Sequence, residues 1–212
     1  MKLFQETACY KKPFAFKVAE TYPLPPYSTV IGMLHKILKA DSGEYYDMNL
    51  SIQGEYESIF NNYQNLYKYK GKDSVTLMPM NVHQLLNVNI ILHIKAEDAI
   101  LEKIYNNVVN GIESFTLGRN EDLVRVDEIK MVEFKEASSV YVKKSAYIPN
   151  YLTDEFVHGI NYRLNSKYVI KKDLRQWEKI NVKYIDGNAN EQLENVYVDE
   201  DGDAIYFMKQ EV

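Results

Sequence analysis

A chain of 212 residues with 46% hydrophobic content is long enough to bury one substantial core, with room for a small satellite region beside it. Its single cysteine, Cys9, excludes an internal disulfide and any zinc site built from cysteines, and no apolar run approaches the roughly 20 residues that span a bilayer. The formal net charge of -5 argues against a general nucleic-acid binder until its distribution is read: residues 1–40 hold six lysines against Glu6 and Glu20, whereas residues 186–212 hold eight acidic residues against Lys209.

Nothing at the N-terminus has the basic, apolar and small-residue succession of a signal peptide, so a soluble, cytoplasmic protein without membrane contact is expected. Tyrosine is over-used, 18 residues against one tryptophan, which suits half-wet interfaces and base-stacking platforms.

Residues 2–10 contain no breaker and carry Phe4, Thr7 and Tyr10, which reads as an opening strand. Lys11-Lys12-Pro13 follows, and with Phe14, Phe16 and Lys17 it interleaves basic and aromatic residues. That pattern serves either phosphate and base contacts or a plain exposed loop. Tyr22-Pro23-Leu24-Pro25-Pro26 is then held extended, because each proline fixes its own φ and keeps the preceding residue out of helical conformation. A helix is expected from about Thr29 to Ala40, with Ser28 or Thr29 as its hydroxyl cap and Val30, Ile31, Met33, Leu34, Ile37 and Leu38 as a core-facing stripe. Its other side carries Ser28, Gly32, His35 and Lys39, with Lys36 beside them. Glycine inside a helix costs about 1 kcal/mol relative to alanine, so a close approach is expected at Gly32. Two readings stand: a helix start that seats a phosphate, or an amphipathic helix whose Gly32 packs on another backbone.

Asp41-Ser42-Gly43 ends this helix, and residues 48–58, with Leu50, Ile52 and Tyr56, read as a second strand. Phe60 to Met80 reads as an insertion projecting from the sheet, spanning about residues 59–80 and turning at Gly71. Its Tyr67-Lys68-Tyr69-Lys70 alternation places tyrosines on one face and lysines on the other; a disordered basic loop is the other reading. Asn87 to Lys95 alternates cleanly as a strand with one buried face, and Glu97 to Asn110 is a helix with an acidic first turn. The loop Ser114 to Asp122 turns at Gly118 and places Arg119 at the sheet's end, before a strand from Asp122 to Phe134. Strand, helix, strand, insertion, strand, helix, strand is the split β-α-β pattern of an α+β, ferredoxin-like fold. From Ser138 the strand-rich segments 140–144, 155–164, 177–185 and 196–208, the last broken by a hairpin turn at Glu200 to Asp203, read as a small β-rich region. The expected division is 1–137 and 138–212.

His35, His83, His93 and His158 form no HExxH or paired-histidine motif, the run Asp199 to Asp203 lacks the ligand alternation of an EF-hand, and no P-loop, GxGxxG or GxSxG is present. No metal or cofactor is expected. His35 suits either a general acid–base role or a structural one.

The opening strand, the basic loop, the block Tyr-Pro-Leu-Pro-Pro-Tyr-Ser-Thr-Val-Ile-Gly-Met-Leu from Tyr22 and the later Thr-Leu-Gly-Arg-Asn-Glu-Asp-Leu-Val from Thr116 together resemble the CRISPR-associated RAMP subunit of Cas family five, its type I-B branch in particular. The resemblance covers most of residues 1–137. It implies an RRM-like domain with a projecting thumb at Phe60 to Met80, which binds the 5′ handle of CRISPR RNA and caps one end of the Cascade surveillance complex. There it touches a backbone RAMP subunit and the large subunit that helps recognise target DNA. On that reading phosphates sit at the Ser28-Thr29 helix start, Lys11, Lys12, Lys17 and Arg119 supply charge beside Gly118, and splayed bases stack on tyrosines. Tyr22, Gly32, His35 and Lys36 complete the expected RNA surface on the body, and Tyr67, Lys68, Tyr69 and Lys70 form it on the thumb. A related branch of the family cuts precursor CRISPR RNA without metal, using tyrosine, lysine and histidine. No adjacent Lys-His pair exists here, so no catalytic residue is carried over. The expected function is a non-catalytic RNA-binding subunit. A metal-independent endoribonuclease using His35, Tyr22 and a nearby lysine is the second hypothesis, and a protein-only interaction module the third.

Overall fold

The computed structural model describes residues 1–13, 18–41, 43–70, 74–172 and 174–209. The chain opens with β1 (Lys2–Ala8), β2 (Tyr10–Lys11), β3 (Val18–Ala19), β4 (Thr21–Tyr22) and α1 (Tyr27–Ile37). β5 (Asn49–Glu55), β6 (Ser58–Lys70) and β7 (Ser74–Lys95) lead to α2 (Asp98–Val109), β8 (Phe115–Thr116) and β9 (Leu123–Glu128). The remainder is β10 (Phe134–Tyr141), β11 (Ser145–Pro149), one 3₁₀ turn (Asn150–Leu152), β12 (Ile160–Lys171), β13 (Leu174–Ile185), β14 (Gln192–Asp199) and β15 (Ala204–Ile205). Among the described residues this is an α+β chain of mostly antiparallel strands with two α-helices.

The main sheet runs β12-β13-β11-β5-β7-β1-β9-β8. Period-two alternation puts Leu3 of β1, Leu50 and Ile52 of β5, and Ile90 and Leu92 of β7 on one face, where all are buried. Both helices cover that face, α1 through Val30, Leu34 and Ile37 and α2 through Ile104. Asn107 of α2 donates its side-chain amide to the Ile37 carbonyl at 2.7 Å, satisfying one of the acceptors that a helix end leaves open. The other face is closed by a second sheet, β10-β14-β15. Gln53 donates to the Ala204 carbonyl at 2.8 Å, the Tyr206 N–H donates to Ser51 Oγ at 2.9 Å, and His93 Nε2 donates to Asp199 Oδ2 at 3.1 Å. The polar positions of β5 and β7 therefore form the joint between two layers. Residues 138–212 are strand-rich as their composition suggests, and they divide: β11, β12 and β13 extend the main sheet beyond β5, while β14 and β15 build the second.

Two expectations about α1 need correction. The helix starts at Tyr27, and its cap is Pro26 at φ -60, ψ 153, whose carbonyl accepts the N–H of Thr29 at 2.9 Å. Ser28 and Thr29 already lie inside the first turn and neither hydroxyl caps the helix. The proline run supplies the extended entry that a capping residue would otherwise provide. Gly32 is exposed, and a Cβ built there would meet nothing within 4 Å, so no backbone among the described residues packs on it.

The segment after β5 forms a two-stranded hairpin, β6 against β7. β5 and β6 both pair with β7 in one unbroken count, from Asn49↔Lys95 to Glu55↔Asn89 and from Ser58↔Leu86 to Lys70↔Ser74. The two core strands simply run on past the sheet as a ribbon. β7 alone has 22 residues, about 75 Å of strand at about 3.4 Å per residue.

The tyrosine excess is explained in part by the core. Tyr22, Tyr27, Tyr147, Tyr162 and Tyr184 form a chain of edge-to-face and tilted contacts with centroids 5.5 to 6.5 Å apart. Tyr147, at its centre, donates to the Leu24 carbonyl at 2.7 Å and so anchors the proline run.

Candidate nucleic-acid interface

Three of the stretches singled out in the sequence meet at one corner. β2 pairs with β4, bringing Lys11 opposite Thr21 and Tyr10 opposite Tyr22. The chain between them returns along β3, which lies parallel to β7 at Asn81 and Val82, at the root of the ribbon. The glycine loop between β8 and β9 closes the same corner around Asp122. That carboxylate is 1% exposed and accepts the Cys9 N–H at 3.0 Å, the Arg119 N–H at 2.9 Å and the Arg119 guanidinium at 2.7 Å. Arg119 Nη1 donates to Gln64 of β6 at 3.1 Å, and the same nitrogen lies 3.1 Å from Glu121. Gly118 sits at φ +112, and a Cβ there would lie 2.8 Å from Asp122 Oδ2 and 3.1 Å from the Cys9 carbonyl. Only glycine fits that turn without strain. Gln5 completes the network, donating to the Leu117 carbonyl at 2.9 Å and accepting the Tyr10 hydroxyl at 2.6 Å.

Within the chain Arg119 has a structural task. Its charge is matched by Asp122 and Glu121 within the chain, and it ties the glycine loop to the ribbon. Lys11 is exposed; Lys12 lies 3.3 Å from Glu20 and 6.0 Å over the Tyr22 ring. Burial raises the pKa of the half-buried Tyr22 hydroxyl. Lys17, with Phe14 and Phe16, lies outside the described residues, as does the turn expected at Gly71.

The remaining candidates are distributed. Ser28 and Thr29 are half-buried in the first turn of α1, and Gly32 and Lys36 are exposed farther along it. His35 is held in place: its Nε2 accepts the Tyr46 N–H at 3.3 Å, and the rings of Tyr45 and Tyr46 stand 5.3 and 5.9 Å away. Burial lowers its pKa. Tyr67, Lys68, Tyr69 and Lys70 lie at the far end of the ribbon, about 20 Å of strand beyond Asn62 at about 3.4 Å per residue. The alternation is as expected, since Tyr67 and Tyr69 pair with Leu77 and Val75, while Lys68 pairs with Thr76 on the reverse face. Tyr63, Tyr67 and Tyr69 are 79%, 54% and 76% exposed. Sequence reasoning missed Gln5 and Asp122. The one signal for Gln5 was a polar residue at an inward position of β1, between Leu3 and the buried Ala8.

The sheet covered by two helices on one face and by a small sheet on the other defines an α+β protein with a tied-down corner and a long exposed ribbon. The family model described as CRISPR-associated protein (Cas_Cas5) matches residues 1–200, and the chain belongs to that family. No curated protein matches it in sequence. A chain of a structure described as a CRISPR RNA-guided surveillance complex shares its fold at 12% identity and TM-score 0.57, covering 95% of this chain and 91% of that one. Another, from a cryo-EM structure of the Type III-B Cmr-beta bound to cognate target RNA, aligns at 14% identity and TM-score 0.52, covering 92% and 86%. No helix among the described residues is long and apolar enough to cross a membrane.

Proposed function

We propose that this chain is a non-catalytic subunit of a type I CRISPR Cascade surveillance complex, which binds and caps the 5′ handle of CRISPR RNA. Its ribbon is the thumb, and its neighbours are a backbone RAMP subunit and the large subunit, through which it meets target DNA indirectly. The observation that carries the reading is the ribbon itself. Ile59, Phe60, Tyr63, Leu66, Tyr67, Tyr69, Val75 and Leu77 are all exposed on the paired strands β6 and β7. An apolar surface of that extent marks an interaction site, and its alternating lysine suits a ligand that is partly RNA. The order β5-β7-β1-β9 with both helices on one face supports a ferredoxin-like, RRM-like reading of the body. Family membership and the CRISPR complexes among the fold relatives support the assembly.

The absence of a catalytic role is supported by His35, whose Nε2 already accepts a backbone N–H, and by Arg119, whose charge is matched internally. Metal-free cleavage needs a base, an acid and a free cation within reach of one phosphate. The full chain, incubated with precursor repeat RNA in chelator and with the backbone subunit present, is expected to retard the RNA on a gel and leave it intact. Cleavage within the repeat that His35→Ala abolishes would replace this reading with the endoribonuclease. Intact RNA without retardation would leave a protein-only module.

A further inference from the structure

The geometry points to a second nucleic-acid contact, on the outward face of the β12–β13 hairpin, that takes a single strand. Residues 160–185 carry seven basic residues against Asp173 and Glu178, in a chain whose net charge is -5. Cross-strand pairing sorts them. Tyr162 pairs with Val182 and Leu164 with Ile180 on the face that packs toward α1 and Tyr22. The opposite face carries the pairs Arg163↔Asn181, Asn165↔Lys179, Tyr168↔Trp177 and Ile170↔Arg175. Residues directly opposite share a face, and a single bulge at Ser166 and Lys167 keeps this set together past Asn165. Among the described residues of the two strands the lone carboxylate is Glu178, which alternation places on the inner face.

The outer face therefore presents cations without a matching anion, and it presents rings. Tyr168 and Trp177 stand edge to face at 5.2 Å, each 37% exposed, and the Arg175 guanidinium lies over Tyr168 at 4.7 Å. Arg163 and Lys179 are exposed beside them. Lys183, nearer the sheet, is occupied: it donates to the Asp154 and Val157 carbonyls at 2.6 and 2.8 Å. The usable surface is thus the outer part of the hairpin, from Asn181, opposite Arg163, to Arg175, about 20 Å at about 3.3 Å per residue. A duplex offers only phosphates to such a surface. An unpaired strand offers phosphates to Arg163 and Lys179 and base faces to Trp177 and Tyr168, which is the pairing of cation and ring used by single-strand binders. This inference does not depend on the handle reading, because it uses the face of the hairpin turned away from Tyr22.

Trp177 is the one tryptophan of the chain, so its fluorescence reports on this face alone. The full chain is titrated with unstructured 12-mers of uridine and of thymidine. Saturable quenching is expected, persisting in the double variant Lys11→Glu, Lys12→Glu and weakened at least tenfold in Arg163→Glu, Lys179→Glu. The latter should also lower the slope of log affinity against log salt by about 1.4, two single-strand phosphate contacts at about 0.7 each. Thermal melting checks that the variant is folded, and Arg175→Gln, expected to weaken binding severalfold, serves as a gentler second variant. Tighter quenching by the uridine strand assigns the site to the guide RNA, and by the thymidine strand to displaced DNA. Unquenched fluorescence at saturating strand, or unaltered affinity in all these hairpin variants, would overturn the proposal. So would quenching by poly-glutamate alone, which would assign the face to an acidic protein.

Discussion

Replacing Asp122 by alanine tests whether the glycine loop is the clasp of the corner. The carboxylate is almost fully buried and serves two backbone N–H groups and one guanidinium. Removing one partner of a buried ion pair costs about 3–5 kcal/mol when the other charge is stranded. Here Arg119 keeps Glu121 and Gln64 and its side chain is 17% exposed, so water relieves part of that cost. The buried Cys9 N–H has no such relief, and a lost acceptor there adds about 1–3 kcal/mol. The two considerations together give about 3 kcal/mol for Asp122→Ala. Asp122→Asn, which keeps an oxygen for one N–H but turns an amide toward the guanidinium, should lose about half as much. Urea unfolding followed by circular dichroism reads this directly, because an m-value of about 3 kcal/mol/M makes the alanine variant unfold near 1 M lower denaturant. An alanine variant within about 0.5 kcal/mol of wild type would refute the clasp and return Arg119 to the set of free RNA-facing cations.

Reversing Lys11 and Lys12 to glutamate should weaken handle binding across sequences and lower the salt slope by about 0.7 per lost contact; Lys12 should contribute less, since Glu20 already pairs with it. Tyr67→Ala or Tyr69→Ala should each cost about 1–3 kcal/mol of RNA or assembly affinity while leaving the melting temperature unchanged, both rings being exposed. Stability should fall as pH drops below 6.5, the ordinary histidine value. Burial lowers the His93 pKa despite the opposing pull of Asp199, and protonation would place a second N–H at its buried Nδ1, which has no partner among the described residues. A folded-state pKa below the unfolded one means that stability is present above the unfolded value and lost as pH falls through the folded one. Thermal melts of His93→Gln between pH 7 and pH 5 should show a flatter decline than wild type.

The helices and the core strands were legible because each is written in one local pattern: the proline run that ends at Tyr27, the 3.6-residue stripe of α1, the alternation of residues 88–94. The hydroxyl cap of α1 was misplaced because a serine or threonine after prolines reads as a cap, whereas Pro26 itself has the extended backbone of that position. Arg119 was legible as a loop cation and illegible as a clasp, since its partner Asp122 reads from sequence as one more acid of a polar turn. The cluster of packed tyrosines was hidden for a similar reason. Tyr22, Tyr147, Tyr162 and Tyr184 come from four separate segments, and only the packing of β11–β13 beside α1 brings their rings together.

The ribbon is where local pattern and tertiary structure diverge most. Residues 60–80 carry breakers, exposed apolar residues and lysines, all of which read as something apart from the sheet. An isolated two-stranded hairpin is marginal in water, and one with this many exposed apolar side chains would invite aggregation. The common register from Asn49↔Lys95 to Lys70↔Ser74 removes the first difficulty, because the ribbon inherits its register from strands already fixed by α1, β1 and the core. Register also fixes which side chains share a face, since a slip of one residue would exchange Tyr67 and Tyr69 with Lys68. The core is therefore what presents the tyrosines together, and the Arg119–Gln64 contact at the root holds the ribbon against the glycine loop. On this account the ribbon's exposed surface is an extension of the folded body, aimed by it.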